Sequence, residues 1–117
     1  MNPITVLSND ENIFRQEIAK FAQNSIKPKV SDMDEKEYLD KDLMKECFEM
    51  GLMGIEVPEK FGGTQGSFFL STLAIEELAK VDPSVSVFVD VQNTLINNVF
   101  LNWATQEQQS HYFPRLS

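Results

Sequence analysis

Gly51-Leu52-Met53-Gly54-Ile55-Glu56-Val57-Pro58-Glu59-Lys60-Phe61-Gly62-Gly63 sets four glycines and one proline among five apolar side chains. Glycine permits backbone angles and close approaches that other residues resist, and proline interrupts regular hydrogen bonding. The stretch therefore cannot be a helix. Leu52, Met53, Ile55, Val57 and Phe61 are too apolar for an ordinary solvated loop. It reads as a buried connector, a floor on which flanking helices pack.

On the N-terminal side, Ser8-Asn9-Asp10-Glu11 has the form of a capping box. Phe14, Ile18, Phe21 and Ala22 follow on one helical face, and Pro28 is expected to end this helix near Ile26. Residues 29–38, with Asp32, Asp34, Glu35 and Glu37, read as a polar surface loop. A second helix is expected from about Asp40 to Met50, with Leu43, Cys47 and Met50 as its apolar stripe. Gly51 stands where a left-handed C-terminal cap belongs. Cys47 on that stripe reads as a small core residue, since nothing nearby would lower its pKa.

On the C-terminal side, Thr64-Gln65-Gly66-Ser67 opens a third helix through Lys80, with Leu70, Ala74, Leu78 and Val81 on one face. Phe68, Leu73 and Ile75 widen that apolar surface. Gly62, Gly63 and Gly66 match neither the phosphate loop nor the dinucleotide fingerprint, so a turn is the expectation there. Glu76 and Glu77 point about 100° apart on a helix and cannot converge on one bond. One is expected to face solvent and the other to make a buried bond.

Asp82-Pro83 is a helix start, an N-cap followed by proline at the first position. Ser84-Val85-Ser86-Val87-Phe88-Val89-Asp90-Val91 then alternates as a strand does. The apolar segment runs on through Leu95, Ile96, Val99, Phe100 and Leu101 without a turn signal, too long for a strand. Start and length favour a helix buried nearly all round. Gln92, Asn93, Thr94, Asn97 and Asn98 interrupt it, and buried amides need partners. They make interhelical bonds or line a pocket. Thr105-Gln106-Glu107-Gln108 is a second capping box, opening a last helix through about Phe113. Pro114 leaves Tyr112, Phe113 and Leu116 without an evident place, and His111 reads as a surface or packing residue.

A chain of 117 residues with 42% hydrophobic, 24% charged and 10% aromatic residues suits one globular domain. A net charge of −8 and a pI near 4.5 argue against nucleic acid and anionic membrane surfaces. No apolar run is long enough to span a bilayer. A lone cysteine excludes an internal disulfide and suits a reducing compartment. Met1–Asp10 carries no Lys or Arg and no long apolar core, so no targeting segment is expected in it. The sequence offers no His/Cys cluster for a metal, no supported Ser-His pair and no nucleotide fingerprint. By its residues alone the chain reads as an all-α, non-catalytic bundle of about five helices with a buried non-helical connector at 51–63.

The order and spacing of Gly51–Gly63, of Ile75-Glu76-Glu77-Leu78-Ala79-Lys80-Val81-Asp82, and of Gln92-Asn93-Thr94-Leu95-Ile96 resemble the N-terminal helical domain of the acyl-CoA dehydrogenases. The pattern is that of the short/branched-chain members, and the resemblance runs from about Ser8 to Leu116. It implies one α-helical domain over residues 1–117, with the family's β-domain and C-terminal helical domain absent from this chain. For the complete enzyme it implies FAD, an acyl-CoA substrate, electron-transferring flavoprotein as electron acceptor, a homotetramer and the mitochondrial matrix. The family's catalytic glutamate and main FAD contacts match no residue here, so this chain alone is expected to be inactive and to bind no flavin. The resemblance also implies that the helix over Pro83–Trp103 lines the deep end of the acyl cavity, with Val87, Phe88, Val91 and Leu95 toward the acyl tail. Asn102-Trp103-Ala104 departs from the family, which usually has a glycine before the Thr-x-Glu-Gln cap, and leaves the end of that helix open. An alternative of another class is a stand-alone helical interaction module that docks a partner through exposed apolar surface.

Overall fold

The computed structural model describes Pro3 and residues 5–117, and every described element is helical. Part of Met1–Asp10 (Met1, Asn2 and Ile4), in which no targeting segment was expected, lies outside the described residues. Ser8 caps α1 (Asn9–Phe21) with both bonds of the capping box in place. Ile18 and Phe21 turn inward from it. The expected stop at Pro28 does not occur. The chain widens into a π turn over Ala22–Ile26, where the Lys27 N–H donates to the Ala22 carbonyl. It then tightens to a 3-10 turn over Lys27–Lys29 and continues as α2 (Val30–Lys36). Changing the hydrogen-bond register carries the helix past a residue that has no N–H to give.

The loop expected at 29–38 is therefore mostly helix. Its acidic residues hide one apolar side, on which Met33 is buried and Val30 packs on the core. Glu37, at φ 53°, closes α2 in the left-handed region. Asp40 caps α3 (Lys41–Glu49), accepting from the Leu43 N–H at 2.8 Å and from Lys29 Nζ at 3.1 Å. The amide and the lysine hold its carboxyl below the ordinary value. Leu43 and Cys47 are fully buried, as the stripe requires, but Met50 is not part of it. Met50 sits at the C-cap, 40% exposed, where Gly51 at φ +74° turns the chain away. Burial pushes the Cys47 thiol up to about 11.

The connector behaves as its composition demands. Leu52, Met53, Ile55 and Val57 are all buried, with one 3-10 turn at Glu59–Phe61. Its return limb pairs with it in short steps: Thr64 N–H to Gly54 O at 3.0 Å, Gln65 N–H to Val57 O at 3.0 Å, and Gly66 N–H to Ile55 O at 2.6 Å. A Cβ on Gly63 would overlap the Val57 carbonyl, so only glycine fits that crossing. Ser67 then caps α4 (Phe68–Ala79), whose buried side carries Leu73, Ala74 and Leu78. Glu76 faces solvent while the buried Glu77 accepts from Lys80 at 2.7 Å.

From Asp82 one rod runs as α5 (Pro83–Asp90), a π stretch (Val91–Asn97) and α6 (Asn98–Trp103). The strand-like alternation is thus helical, and the rod ends at Trp103, after which Ala104 is extended. Its amides fasten it to the connector. Asn93 Oδ1 accepts from the Ile55 N–H at 3.0 Å, and Asn93 Nδ2 donates to the Leu52 carbonyl at 2.7 Å. Asn97 Nδ2 donates to the Met53 carbonyl at 2.7 Å. Thr105 then opens α7 (Gln106–Leu116) through its capping box. α7 runs three residues beyond the expected end at Phe113, because Pro114 sits on the exposed side, where the N–H it lacks leaves a carbonyl facing water. Phe113 is fully buried, with ring centroids 5.4 Å from Phe61 and 5.9 Å from Phe100. His111 is exposed, edge-on to Tyr112 at 4.8 Å.

α4 packs between α1 and α5, and the whole measures 42 × 38 × 19 Å. A thickness of 19 Å holds only two helix layers at the usual spacing.

Three measurements test this account. Gly63→Ala should lower stability by about 3 kcal/mol, because backbone rather than a side-chain tip blocks the new methyl; a Tm within 2 °C or so of the parent would refute the close approach. Asn93→Leu should cost about 2–5 kcal/mol in a denaturant titration, since it strands the Leu52 carbonyl and the Ile55 N–H. Cys47 should resist alkylation at pH 8 in the folded protein and react once denaturant is added.

Candidate functional site

The Pro83–Trp103 rod is built in reverse at its middle, with amides inward and hydrocarbon outward. Val85, Val89, Asn93 and Asn97 form its inner column, each at most 1% exposed. Val87, Val91, Leu95, Val99 and Trp103 form an outer column offset by two residues, and they are 57, 40, 59, 50 and 83% exposed. Two residues along a helix is about 200° of rotation, so the columns lie on opposite sides. The helix is therefore not buried all round, as its composition suggests. One face meets the core, and the other is an uncovered apolar stripe.

The inner column is hydrogen-bonded throughout its polar half. Besides its bonds to the connector, Asn93 Nδ2 donates to the Val89 carbonyl at 2.9 Å. Gln92 Nε2 reaches Asn97 Oδ1 at 3.2 Å and the Leu116 carbonyl at 2.8 Å. Among the described residues no buried side-chain nitrogen or oxygen lacks a partner. The amides are structural fastenings rather than groups held ready for a ligand. Of the two readings of these residues, interhelical bonding describes Gln92, Asn93 and Asn97.

Of the four residues expected toward an acyl tail, the fold brings three together. Val87, Val91 and Leu95 stand in line on the outer column. Phe88, about 100° round from Val87, is partly buried and packs on the core cluster. Val99 and Trp103 extend the same stripe toward α7; their fourth-residue spacing from Leu95 was the available signal. Such a surface bears no acid, base or nucleophile. It can exclude water and accept hydrocarbon.

A cleft lies elsewhere, between α2 and the start of α5, with a volume of about 700 Å³. Val30, Met33, Leu39 and Tyr38 line it together with the carboxylates of Asp34, Glu37 and Asp82. A dinucleotide pyrophosphate needs cations or free helix N-terminal amides. Three carboxylates repel it, and at the start of α4 the Leu70 N–H is already taken by Ser67 Oγ at 3.3 Å. The described residues of that cleft and of the α4 start do not fit FAD. Nor do they group three His, Cys, Asp or Glu side chains that could hold a metal ion, and no described helix is long and apolar enough to cross a membrane.

Comparison with known proteins places the chain in a family. The family model described as acyl-CoA dehydrogenase, N-terminal domain, matches residues 8–117. The mitochondrial short/branched chain specific acyl-CoA dehydrogenase of Bos taurus is 45% identical over 115 residues, covering 98% of this chain and 27% of the relative. Butyryl-CoA dehydrogenase of Megasphaera elsdenii superposes with a TM-score of 0.89 at 28% identity, over 99% of this chain and 30% of that one. A glutaryl-CoA dehydrogenase of Mycobacterium smegmatis, solved in complex with FADH2, gives a TM-score of 0.87 at 27% identity, over 94% and 28% of the two chains. The chain thus spans little more than a quarter of the length of the curated relatives it matches. With the family model covering nearly all of it, the chain belongs to the acyl-CoA dehydrogenases and constitutes their N-terminal helical domain.

Proposed function

We propose that this chain forms one wall of the acyl-binding cavity in a flavin-dependent dehydrogenase that introduces an α,β double bond into short or branched acyl-CoA thioesters. The observation that carries the reading is the outer column of the Pro83–Trp103 rod. Val87, Val91 and Leu95 form a straight apolar strip on a helix whose opposite face is fastened by amides. An exposed strip of this kind is costly in water and suits a hydrocarbon chain. Phe88 supports the strip from the core side. The names of the relatives, one of them specific for short and branched chains, support the substrate class.

The chain's own part in the reaction is shape. It shields the alkyl end of the thioester from water and limits its length and branching, while the acid–base and redox groups come from other segments of the enzyme. FAD as the cofactor of that enzyme, electron-transferring flavoprotein as its electron acceptor, a homotetrameric assembly and a place in the mitochondrial matrix belong to the same proposal. Residues 1–117 are then one domain that binds no flavin alone. The match of the family model over residues 8–117 disfavours the stand-alone interaction module.

Val91→Glu in the full-length enzyme tests the wall. A carboxylate among apolar side chains should lower kcat/KM for longer and branched acyl-CoAs by at least about tenfold. The flavin absorbance of the purified enzyme should be unchanged. Equal kinetics across chain lengths would remove Val91 from the cavity.

A further inference from the structure

Each column keeps to one side of the rod along its length because the rod is not α-helical throughout. In an unbroken α-helix every fourth residue drifts by about 40°, or about 120° over the three steps from Val85 to Asn97. The step from Asn93 to Asn97 would contribute about 40° of that drift, yet the two amides donate at 2.7 Å to the adjacent Leu52 and Met53 carbonyls. The π stretch over Val91–Asn97 offsets the drift. Each of its turns takes in an extra residue, so rotation per residue falls and fourth-residue neighbours realign. The same correction keeps Leu95 and Val99 in line with Val87 and Val91.

Side chains hold the place where the register changes. Asn93 Nδ2 donates to the Val89 carbonyl at 2.9 Å. Thr94 Oγ1 lies 2.9 Å from the Asp90 carbonyl and 2.8 Å from Asp90 Oδ1, a clamp on the last residue of α5. A hydroxyl or amide set into the helical ladder is a known cause of local widening and bending. Asn93 is also bonded to the connector, so its loss would disturb the core. Thr94 differs, because its one hydroxyl proton is shared between two oxygens of Asp90 in its own rod and it is only partly buried.

We propose that Thr94 is a positioning residue for acyl-chain selectivity: its hydroxyl clamps Asp90, holds the wide turn, and so aims Leu95 along the strip begun by Val87 and Val91. The inference rests on the reading of that strip as an acyl wall. Without the clamp the stretch relaxes toward an ordinary α-turn and Leu95 rotates away from Val91, which changes the cavity's outline without removing an atom from it.

The test uses the full-length enzyme and three variants, Thr94→Val, Thr94→Ser and Leu95→Ala. The quantity compared is the ratio of kcat/KM for a branched against a straight short acyl-CoA. Thr94→Val keeps the shape and loses the hydroxyl; it should change the ratio about three- to tenfold while Tm moves by only a few degrees. Thr94→Ser keeps the hydroxyl and should stay within about twofold of the parent ratio. An equal fall for both substrates in Thr94→Val, or no change where Leu95→Ala does shift the ratio, overturns the proposal and leaves the wall standing. If Leu95→Ala and Val91→Glu both leave the ratio untouched, the wall itself fails, and the positioning role with it. Should Thr94→Val not accumulate, Thr94→Ala takes its place under the same criteria.

Discussion

Asn93 and Asn97 pair the connector's backbone groups that its own chain leaves over. The connector from Gly51 to Gly63 is barred from helix by its glycines and proline, yet its apolar side chains draw it into the core. Its carbonyls at Leu52 and Met53 and its N–H at Ile55 then sit where water does not reach, and each would cost about 1–3 kcal/mol unpaired. A primary amide offers a donor and an acceptor from one short side chain. Two of them, four residues apart on one helix, answer three backbone groups. The middle of the Pro83–Trp103 rod therefore spends its inner face on polar contacts. Much of its hydrocarbon is left on the outside.

The two widened turns in this fold have different origins. The one at Ala22–Ile26 lies just ahead of Pro28 and lets a long helix pass a residue with no N–H. The one at Val91–Asn97 contains no proline and is bracketed by side-chain bonds to the Val89 and Asp90 carbonyls. The first preserves continuity. The second preserves register, and register decides which residues line the outer strip.

A slab only 19 Å thick has little interior, so its edges must be closed by particular contacts. Phe113 does this at one end, wedged between Phe61 and Phe100. Ser117 Oγ shares its one proton between the Phe113 carbonyl at 2.7 Å and the Phe61 carbonyl at 3.0 Å, with the end of α7 against the connector beside Gly54. Among the described residues, none closes over the strip of Val87, Val91 and Leu95 in this way, and all three are exposed. The acyl wall proposed above would give that exposed apolar surface a physical use.

Local chemistry was legible residue by residue: the capping boxes at Ser8 and Thr105, the Asp82-Pro83 start, the left-handed turn at Gly51, the buried connector and the inert Cys47 all follow from groups a few positions apart. What misled were places where a distant partner overrides the local signal. Met33 makes a helix of an acidic stretch because the core receives it, and Pro114 passes unnoticed because its bare side faces solvent. The alternation of Val85, Val87, Val89 and Val91 looks like a strand because two opposite helix faces are both apolar, one for the core and one for the outside. By itself the sequence determined the helical class, the caps and the connector, since these depend on backbone groups within a turn of each other. Only the tertiary structure decided which amides point inward and which hydrophobic side chains are left out, because that choice belongs to the unpaired carbonyls of a segment about forty residues away.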